Sequence, residues 1–227
     1  SVVALLAEML EPYKGKIYDP CCGSGGMFVQ SIKFVGSHNG NQKDISIYGQ
    51  EYTSTTYKLA KMNLAIRGIA GNLGDVAGDT FFKDQHPDLK ADFIMANPPF
   101  NVDDVAVAAV EKDPRFNTYG IPRNKTKLKK AEEGKETVPN ANYLWINLFA
   151  TSLNDNGRAA LVMANSASDA RHSEAAIRRA LIEANLIYGM LTMPSNMFYT
   201  VTQPATLWFF DKAKTDERIL FIDARNV

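Results

Sequence analysis

Four consecutive residues, Asn97-Pro98-Pro99-Phe100, carry the most specific chemistry in the sequence. An exocyclic amine on an aromatic base is a poor nucleophile, because its lone pair is delocalised into the ring. Two hydrogen-bond acceptors aimed at the amine protons draw the nitrogen towards tetrahedral geometry and release that lone pair. Asn97 offers a side-chain oxygen and Pro98 a backbone carbonyl. Both prolines fix φ and lack an N–H, and a residue before proline is driven to extended backbone, so the turn is rigid. Phe100 adds an apolar face for stacking, worth about 1–3 kcal/mol by analogy with other base–aromatic contacts. No strong general base is needed if the proton leaves after the new bond has formed. The bland alternative is a tight turn with a buried phenylalanine.

A second group, Asp19-Pro20-Cys21-Cys22-Gly23-Ser24-Gly25-Gly26, reads as a strand end turning into a helix. Open α/β sheets bind ligands at such strand ends. Small residues let backbone approach a ligand, and free N–H groups at a helix start favour a carboxylate or phosphate. A nicotinamide-binding turn would place glycine three residues beyond Gly25, but Phe28 stands there. The bulk of Phe28 opposes the close helix–strand packing of that fold. No Gly-Lys-Ser/Thr follows, so a P-loop is excluded as well. Glu51 ends the next strand, where a carboxylate can accept both hydroxyls of a ribose; by itself it would read as a solvated residue.

These groups need a scaffold, and the hydrophobic pattern supplies one. Val2, Val3, Leu5, Leu6, Met9 and Leu10 repeat at helical spacing up to Pro12. A strand is predicted at Lys16–Asp19, a helix at Met27–Val35, a strand at Ile45–Gln50, and a helix at Thr53–Arg67. Weak β signal at Leu73–Val76 precedes Gly78-Asp79-Thr80. Asp92–Ala96 then reads as a fourth strand, delivering Asn97. Further on come a helix at Tyr143–Leu153, a strand at Ala159–Ala164, a helix at Glu174–Glu183, and strands at Leu186–Thr192, Ala205–Phe210 and Ile219–Ile222. Strands alternating with helices imply an α/β fold, a mostly parallel sheet covered on both faces. Residues 101–142 resist assignment, and a loop of that length in a compact domain is functional or disordered.

Composition narrows the class. Lys plus Arg and Asp plus Glu balance at 25 each, an awkward count for an enzyme that must hold phosphates. Either charge is segregated on the surface, or another chain supplies the affinity for phosphates. Adjacent Cys21 and Cys22 do not staple a fold, and with three histidines they give no zinc spacing, so no metal is expected. A reduced, cytoplasmic setting fits better than a secreted one. No run approaches the roughly 18 apolar residues of a membrane span. The abrupt start at Ser1 suggests a longer parent protein.

With these residues in hand, the chain resembles the modification (M) subunits of type I restriction–modification systems, which are N6-adenine DNA methyltransferases. The likeness is carried in order by IYDPCCGSGGMF, IYGQEYTSTTYKLAKMNLAIRGI, GDTF, ADFIMANPPFN, RFNTYGIP, ANYLWINLF, GRAALVMANS and ILFIDAR. The long second run and the terminal ILFIDAR are the most particular to type I subunits. The resemblance implies a Rossmann-like class I methyltransferase fold with a seven-stranded sheet, and S-adenosyl-L-methionine as cofactor. Asp19, Cys22, Gly23, Ser24 and Gly25 would cradle the methionine part and Glu51 the ribose. Asp79, beside Thr80, would lie near the cofactor's adenine amine. Asn97, at the junction with the cofactor, would join Pro98, Pro99 and Phe100 in holding a flipped target adenine. Asn196-Met197-Phe198-Tyr199 resembles the segment that brings a second aromatic to that base, through Phe198 or Tyr199. Implied partners are double-stranded DNA, a specificity subunit and a restriction subunit.

The chain also departs from the family pattern. A Thr-Pro motif before the first helix, an N-terminal helical region and C-terminal partner-binding helices are absent, so residues 1–227 read as one catalytic domain of a larger protein. Between Ser195 and Pro204 the familiar glycines are replaced by Ser-Asn and Val-Thr-Gln, leaving two readings: a divergent active member, or altered base-side contacts. Two other functions stay open: a methyltransferase of RNA adenine or protein glutamine, which shares an N-P-P turn, and a non-catalytic nucleic-acid-binding relative. The run Arg123, Lys125, Lys127, Lys129, Lys130 is either a solvated face or a flap that orders over DNA.

Overall fold

The computed structural model describes residues 1–124, 135–195 and 204–226. Two compact units are present: Ser1–Asn97 with Leu153–Ala160, and Pro98–Ser152 with Leu161–Val227.

In the first unit, helix α1 (Val2–Leu10) starts at Ser1, whose hydroxyl accepts the Ala4 N–H at 3.3 Å. It ends at Glu11 in the left-handed conformation, and Pro12 bars another turn. Strands β1 (Gly15–Asp19), β2 (Ile45–Gly49) and β3 (Ala91–Ala96) are parallel, with β1 in the middle. Helices α2 (Gly26–Ser37) and α3 (Ser54–Ile66) are the crossovers after β1 and β2. Ile17, Phe28, Ile94 and Met95 are fully or almost fully buried, as expected of strands covered by crossover helices. Parallel strands put their carboxyl ends on one edge, so Asp19, the Gly49–Glu51 step and Asn97 share that edge. The weak β signal at 73–76 does not form a strand. Only an isolated bridge, Tyr48 to Asn72, joins the sheet there, because Gly74 turns the chain at φ +78 with its N–H on Asn72 Oδ1 at 3.0 Å. The strand before Asn97 is therefore the third in chain order, not the fourth.

Strand β4 (Leu153–Ala164) begins in the first unit and ends in the second. It starts six residues before the predicted Ala159, through a stretch, Asn154-Asp155-Asn156-Gly157, that reads locally as a turn.

The second unit holds α6 (Asn142–Thr151), the short α7 (Ser166–Asp169), α8 (Ser173–Glu183), β5 (Ile187–Thr192), β6 (Ala205–Asp211) and β7 (Leu220–Asp223). Strand β5 pairs antiparallel with β6 and parallel with β7. Helix α6 is buried all round from Asn142 to Ala150, the pattern of a core helix. Residues 101–142 are not a structureless loop where they are described. They contain short helices α4 (Val107–Val110) and α5 (Pro114–Asn117) and a bridge from Ala106 to Thr137. Asn147, buried in α6, donates to the Phe116 and Gly120 carbonyls at 2.7 and 2.8 Å and fixes that segment. The strand order of the seven-stranded sheet is β2-β1-β3-β4-β6-β5-β7. A mostly parallel α/β sheet is what the sequence predicts.

Candidate functional site

The glycine loop is stretched from the end of β1 to the start of α2. Gly23 and Gly25 take positive φ, +53 and +81, conformations that glycine adopts without strain. A Cβ built on Gly23 or Gly26 meets no atom within 4 Å, so these residues border open space. Helix α2 has no side-chain cap at its N-terminus, and its first N–H groups have no intrahelical partner by geometry. The loop is held from behind: Gly25 N–H donates to the Cys22 carbonyl at 2.8 Å, and Cys22 N–H to the Gln50 carbonyl at 2.9 Å.

Glu51 is brought against this loop, its Oε2 accepting the Gly23 N–H at 3.0 Å and its Oε1 the Thr53 N–H at 2.9 Å. Each carboxylate oxygen keeps a second lone pair for a ligand hydroxyl. Asp79 and Thr80 reach the same edge. Gly78 N–H donates to the Glu51 carbonyl at 2.9 Å, and the buried Thr80 hydroxyl donates to the Pro20 carbonyl. Asp79 Oδ1 accepts the Phe81 N–H at 2.8 Å, an Asx turn that leaves its other oxygen outside that bond. Asp19, Cys22, Gly23, Ser24, Gly25, Glu51 and Thr80 are thus tied together at one strand edge within the first unit, and Asp79 is held there through its neighbours Gly78 and Thr80.

Electrostatics there favour a cation. Asp19 is buried, and burial raises its carboxyl to about 7, with the Glu51 charge adding to the rise against hydrogen bonds from Cys21. Burial likewise raises both cysteine thiols, so neither is a thiolate nucleophile at neutral pH. Among the described residues no group of three or more His, Cys, Asp or Glu could hold a metal ion.

Asn97 follows the last residue of β3 and is exposed. The chain passes from it into the second unit, where Pro98 is buried, Pro99 exposed and Phe100 half-buried. Beyond Phe100 lies a feature that sequence reasoning missed. Asn101, in the left-handed conformation at φ +53, exchanges two hydrogen bonds with buried Asn142 at the start of α6. Its N–H donates to Asn142 Oδ1 at 2.9 Å, and Asn142 Nδ2 donates to Asn101 Oδ1 at 2.9 Å. The 41-residue separation hides this clamp from any local pattern. Asn63 was missed too: from α3 it donates to the Ser24 carbonyl at 2.7 Å, its only sequence signal being an amide inside a helix. Arg123, the first cation of the basic run, is neutralised by Glu111 at 3.2 Å and Glu136 at 2.8 Å. Lys125, Lys127, Lys129 and Lys130, and the aromatics Phe198 and Tyr199, lie outside the described residues.

A family model described as N-6 DNA Methylase matches residues 1–227. The chain belongs to the N-6 DNA methylase family. This N-6 DNA methylase chain is 43% identical over 229 residues to the type I restriction enzyme HindI methylase subunit of Haemophilus influenzae, covering 100% of this chain and 48% of that one. It is 37% identical over 232 residues to the MjaIX methylase subunit of Methanocaldococcus jannaschii, covering 100% of this chain and 39% of that one. Among solved structures it resembles the type I restriction-modification system methyltransferase subunit from Streptococcus thermophilus, with a TM-score of 0.83 at 24% identity. That match covers 99% of this chain and 46% of the other. The fold is therefore the Rossmann-like class I methyltransferase fold, and the chain spans less than half the length of each of these relatives. No helix among the described residues is long and apolar enough to cross a membrane.

Proposed function

We propose that this N-6 DNA methylase transfers a methyl group from S-adenosyl-L-methionine to N6 of adenine in DNA, as the catalytic domain of the modification subunit of a type I restriction–modification system. One observation carries the reading. Asn97 stands exposed on the same strand edge as the open Gly23 loop and Glu51, and it leads directly into Pro98-Pro99-Phe100.

The residues fit the cofactor. Open space before Gly23 and Gly26 leaves room that side chains would fill, and the buried Asp19 carboxyl suits an ammonium group. Asp19, Cys22, Gly23, Ser24 and Gly25 would hold the methionine part, Glu51 the ribose, and Asp79 with Thr80 the adenine. When bound, the cofactor supplies an electrophilic methyl group on a sulfonium.

The chain's own residues prepare the nucleophile. Asn97 Oδ1 and the Pro98 carbonyl accept the two N6 protons of a flipped adenine and turn its lone pair out of the ring plane. Phe100 stacks on that base, offsetting part of the cost of taking it from the duplex. Asn142 supports the turn by fixing Asn101. Proton loss follows methyl arrival, so the site needs no strong base.

Sequence readout falls to a specificity subunit, because flipping one adenine reads no neighbouring bases. The balanced charge of 25 against 25 and the neutralised Arg123 fit a chain that borrows DNA affinity from partners. A restriction subunit completes the assembly, which works on cytoplasmic DNA.

The test supplies labelled methyl donor to the full-length chain with its specificity partner, offering duplex DNA, RNA and protein in parallel. Label should enter DNA alone. Transfer to RNA or to protein glutamine, with none to DNA, overturns the reading.

A further inference from the structure

Gln50 has no role among the candidate site residues, yet it is fully buried and every one of its polar groups is engaged. Its backbone N–H donates to the Asp19 carbonyl at 3.1 Å, and its carbonyl accepts the Cys22 N–H at 2.9 Å. Its side-chain Nε2 donates to two carbonyls, Gly78 at 3.0 Å and Lys83 at 2.7 Å. Its Oε1 accepts the Gln85 N–H at 3.2 Å. The donor pattern fixes the orientation of the amide, since two carbonyls face the nitrogen and one N–H faces the oxygen.

Gly78 and Lys83 bracket the tetrad Asp79-Thr80-Phe81-Phe82. One amide group therefore closes that loop like a staple, while its own backbone joins β2 to the glycine loop. Within the tetrad, Lys83 N–H donates to the Asp79 carbonyl at 2.7 Å, so the staple and the turn share a frame. A second tie, from Thr80 to the Pro20 carbonyl, does not depend on Gln50.

We infer that Gln50 is a positioning residue for the nucleobase subsite of the cofactor, setting where Asp79 stands relative to Glu51. The inference rests on the reading that this edge holds S-adenosylmethionine with Asp79 near its adenine amine. The side chain must offer two donors and one acceptor at this length. A carboxylate would face two carbonyl oxygens, and a thioether would take their Gln50 partner from all three loop groups, of which the Gly78 bond is buried and the Lys83 and Gln85 bonds are part-buried. Either change loosens the Asp79 loop, which keeps its ties from Thr80 to Pro20 and from Gly78 to the Glu51 carbonyl, and leaves the Glu51 side-chain bonds to Gly23 and Thr53 in place.

The experiment measures, by calorimetry, binding of S-adenosylhomocysteine and of its deaminated analogue S-inosylhomocysteine to the wild type, Gln50→Met and Gln50→Glu. Asp79 accepts from an amine and repels a carbonyl, so the wild type should prefer the adenine form by about tenfold or more. Both variants should lose about 10- to 100-fold in affinity for the adenine form, and much less for the inosine form, bringing the ratio towards one. Methyl transfer at saturating cofactor should stay within about threefold of wild type, a KM effect without a kcat effect. Equal loss for both ligands, or an unchanged ratio, overturns the role of Gln50. So does failure of both variants to fold, which would make it a core amide only. A wild type that binds neither ligand instead removes the cofactor reading, and the inference with it.

Discussion

The two edges of the β2-β1-β3 sheet use the same residue types to opposite ends. At the amino edge both oxygens of Asp92 are held by the protein itself: Oδ2 accepts the Lys16 N–H at 2.7 Å and Oδ1 accepts from Asn154 Nδ2 at 2.7 Å. Gly15 sits over it at φ +111, and a Cβ there would lie 2.4 Å from Asp92 Oδ2. Gly157 is similarly packed, with a Cβ position 2.7 Å from the Ala91 carbonyl. At the carboxyl edge Asp19 is buried with its pKa raised, and Gly23 and Gly26 face empty space. Gly15 and Gly157 at one edge permit contact with the protein itself; Gly23 and Gly26 at the other leave room for something else. Closed polar networks contribute to stability, whereas groups held in place but left open are arranged for a ligand.

The comparison can be broken by mutation, and the largest effect is expected beside the open edge. Asn97→Ala should lower single-turnover methyl transfer by about 10²–10³ while cofactor affinity stays within about threefold, as for loss of one preorganised contact to the reacting group. Quench-flow with the complete assembly and separate calorimetry check both halves, and a wild-type rate would remove Asn97 from the chemistry. Next comes Gly15→Ala, which combines positive φ with a clash. It should destabilise the protein by about 2–3 kcal/mol in urea unfolding, with cofactor affinity of the folded protein unchanged.

Gly23→Ala sharpens the contrast from the other side. Its backbone strain should cost only about 1–2 kcal/mol of stability, and the new methyl group clashes with no protein atom. Cofactor affinity should nevertheless fall about tenfold, because the methyl group occupies the ligand's room. Equal losses of stability and no loss of affinity would erase the difference between the edges.

The smallest effect concerns protons. Asp19 is raised to about 7 in the folded protein, above its unfolded value in the ordinary carboxylate range. Its neutral form therefore contributes stability that is complete below the unfolded pKa and declines as pH rises to about 7. A cationic ligand restores the charge and displaces the proton. Calorimetry at about pH 6 in buffers of different ionisation enthalpy should show close to one proton released per S-adenosylmethionine, vanishing near pH 8.5 and in Asp19→Asn.

The carboxyl edge was largely legible in the sequence because its signals are local. Asp19 to Gly26 is one continuous strand–turn–helix, and Asn97-Pro98-Pro99-Phe100 dictates its own geometry. Non-local groups were not legible. Asn154-Asp155-Asn156-Gly157 has the composition of a turn, but it lies in β4, where Asn154 donates to Asp92 and Gly157 packs closely against the Ala91 carbonyl. The Asn101–Asn142 clamp spans a stretch that local pattern left unassigned. Gln50 looked like the last residue of an alternating strand, and only the loop returning at 78–85 gives its amide a task. Leu73–Val76 erred the other way, since Gly74 turns the chain where composition favoured a strand.

The identity of the methylated nucleoside tests the proposed reaction most directly. Duplex DNA treated with the full-length chain, its specificity partner and S-adenosylmethionine would be digested to nucleosides and resolved by mass spectrometry against standards. N6-methyldeoxyadenosine is the expected product, its initial rate of formation lowered about 10²–10³-fold by Asn97→Ala. Methyl groups found instead on cytosine N4 or C5, or N6-methyldeoxyadenosine formed at the wild-type level by Asn97→Ala, would contradict it.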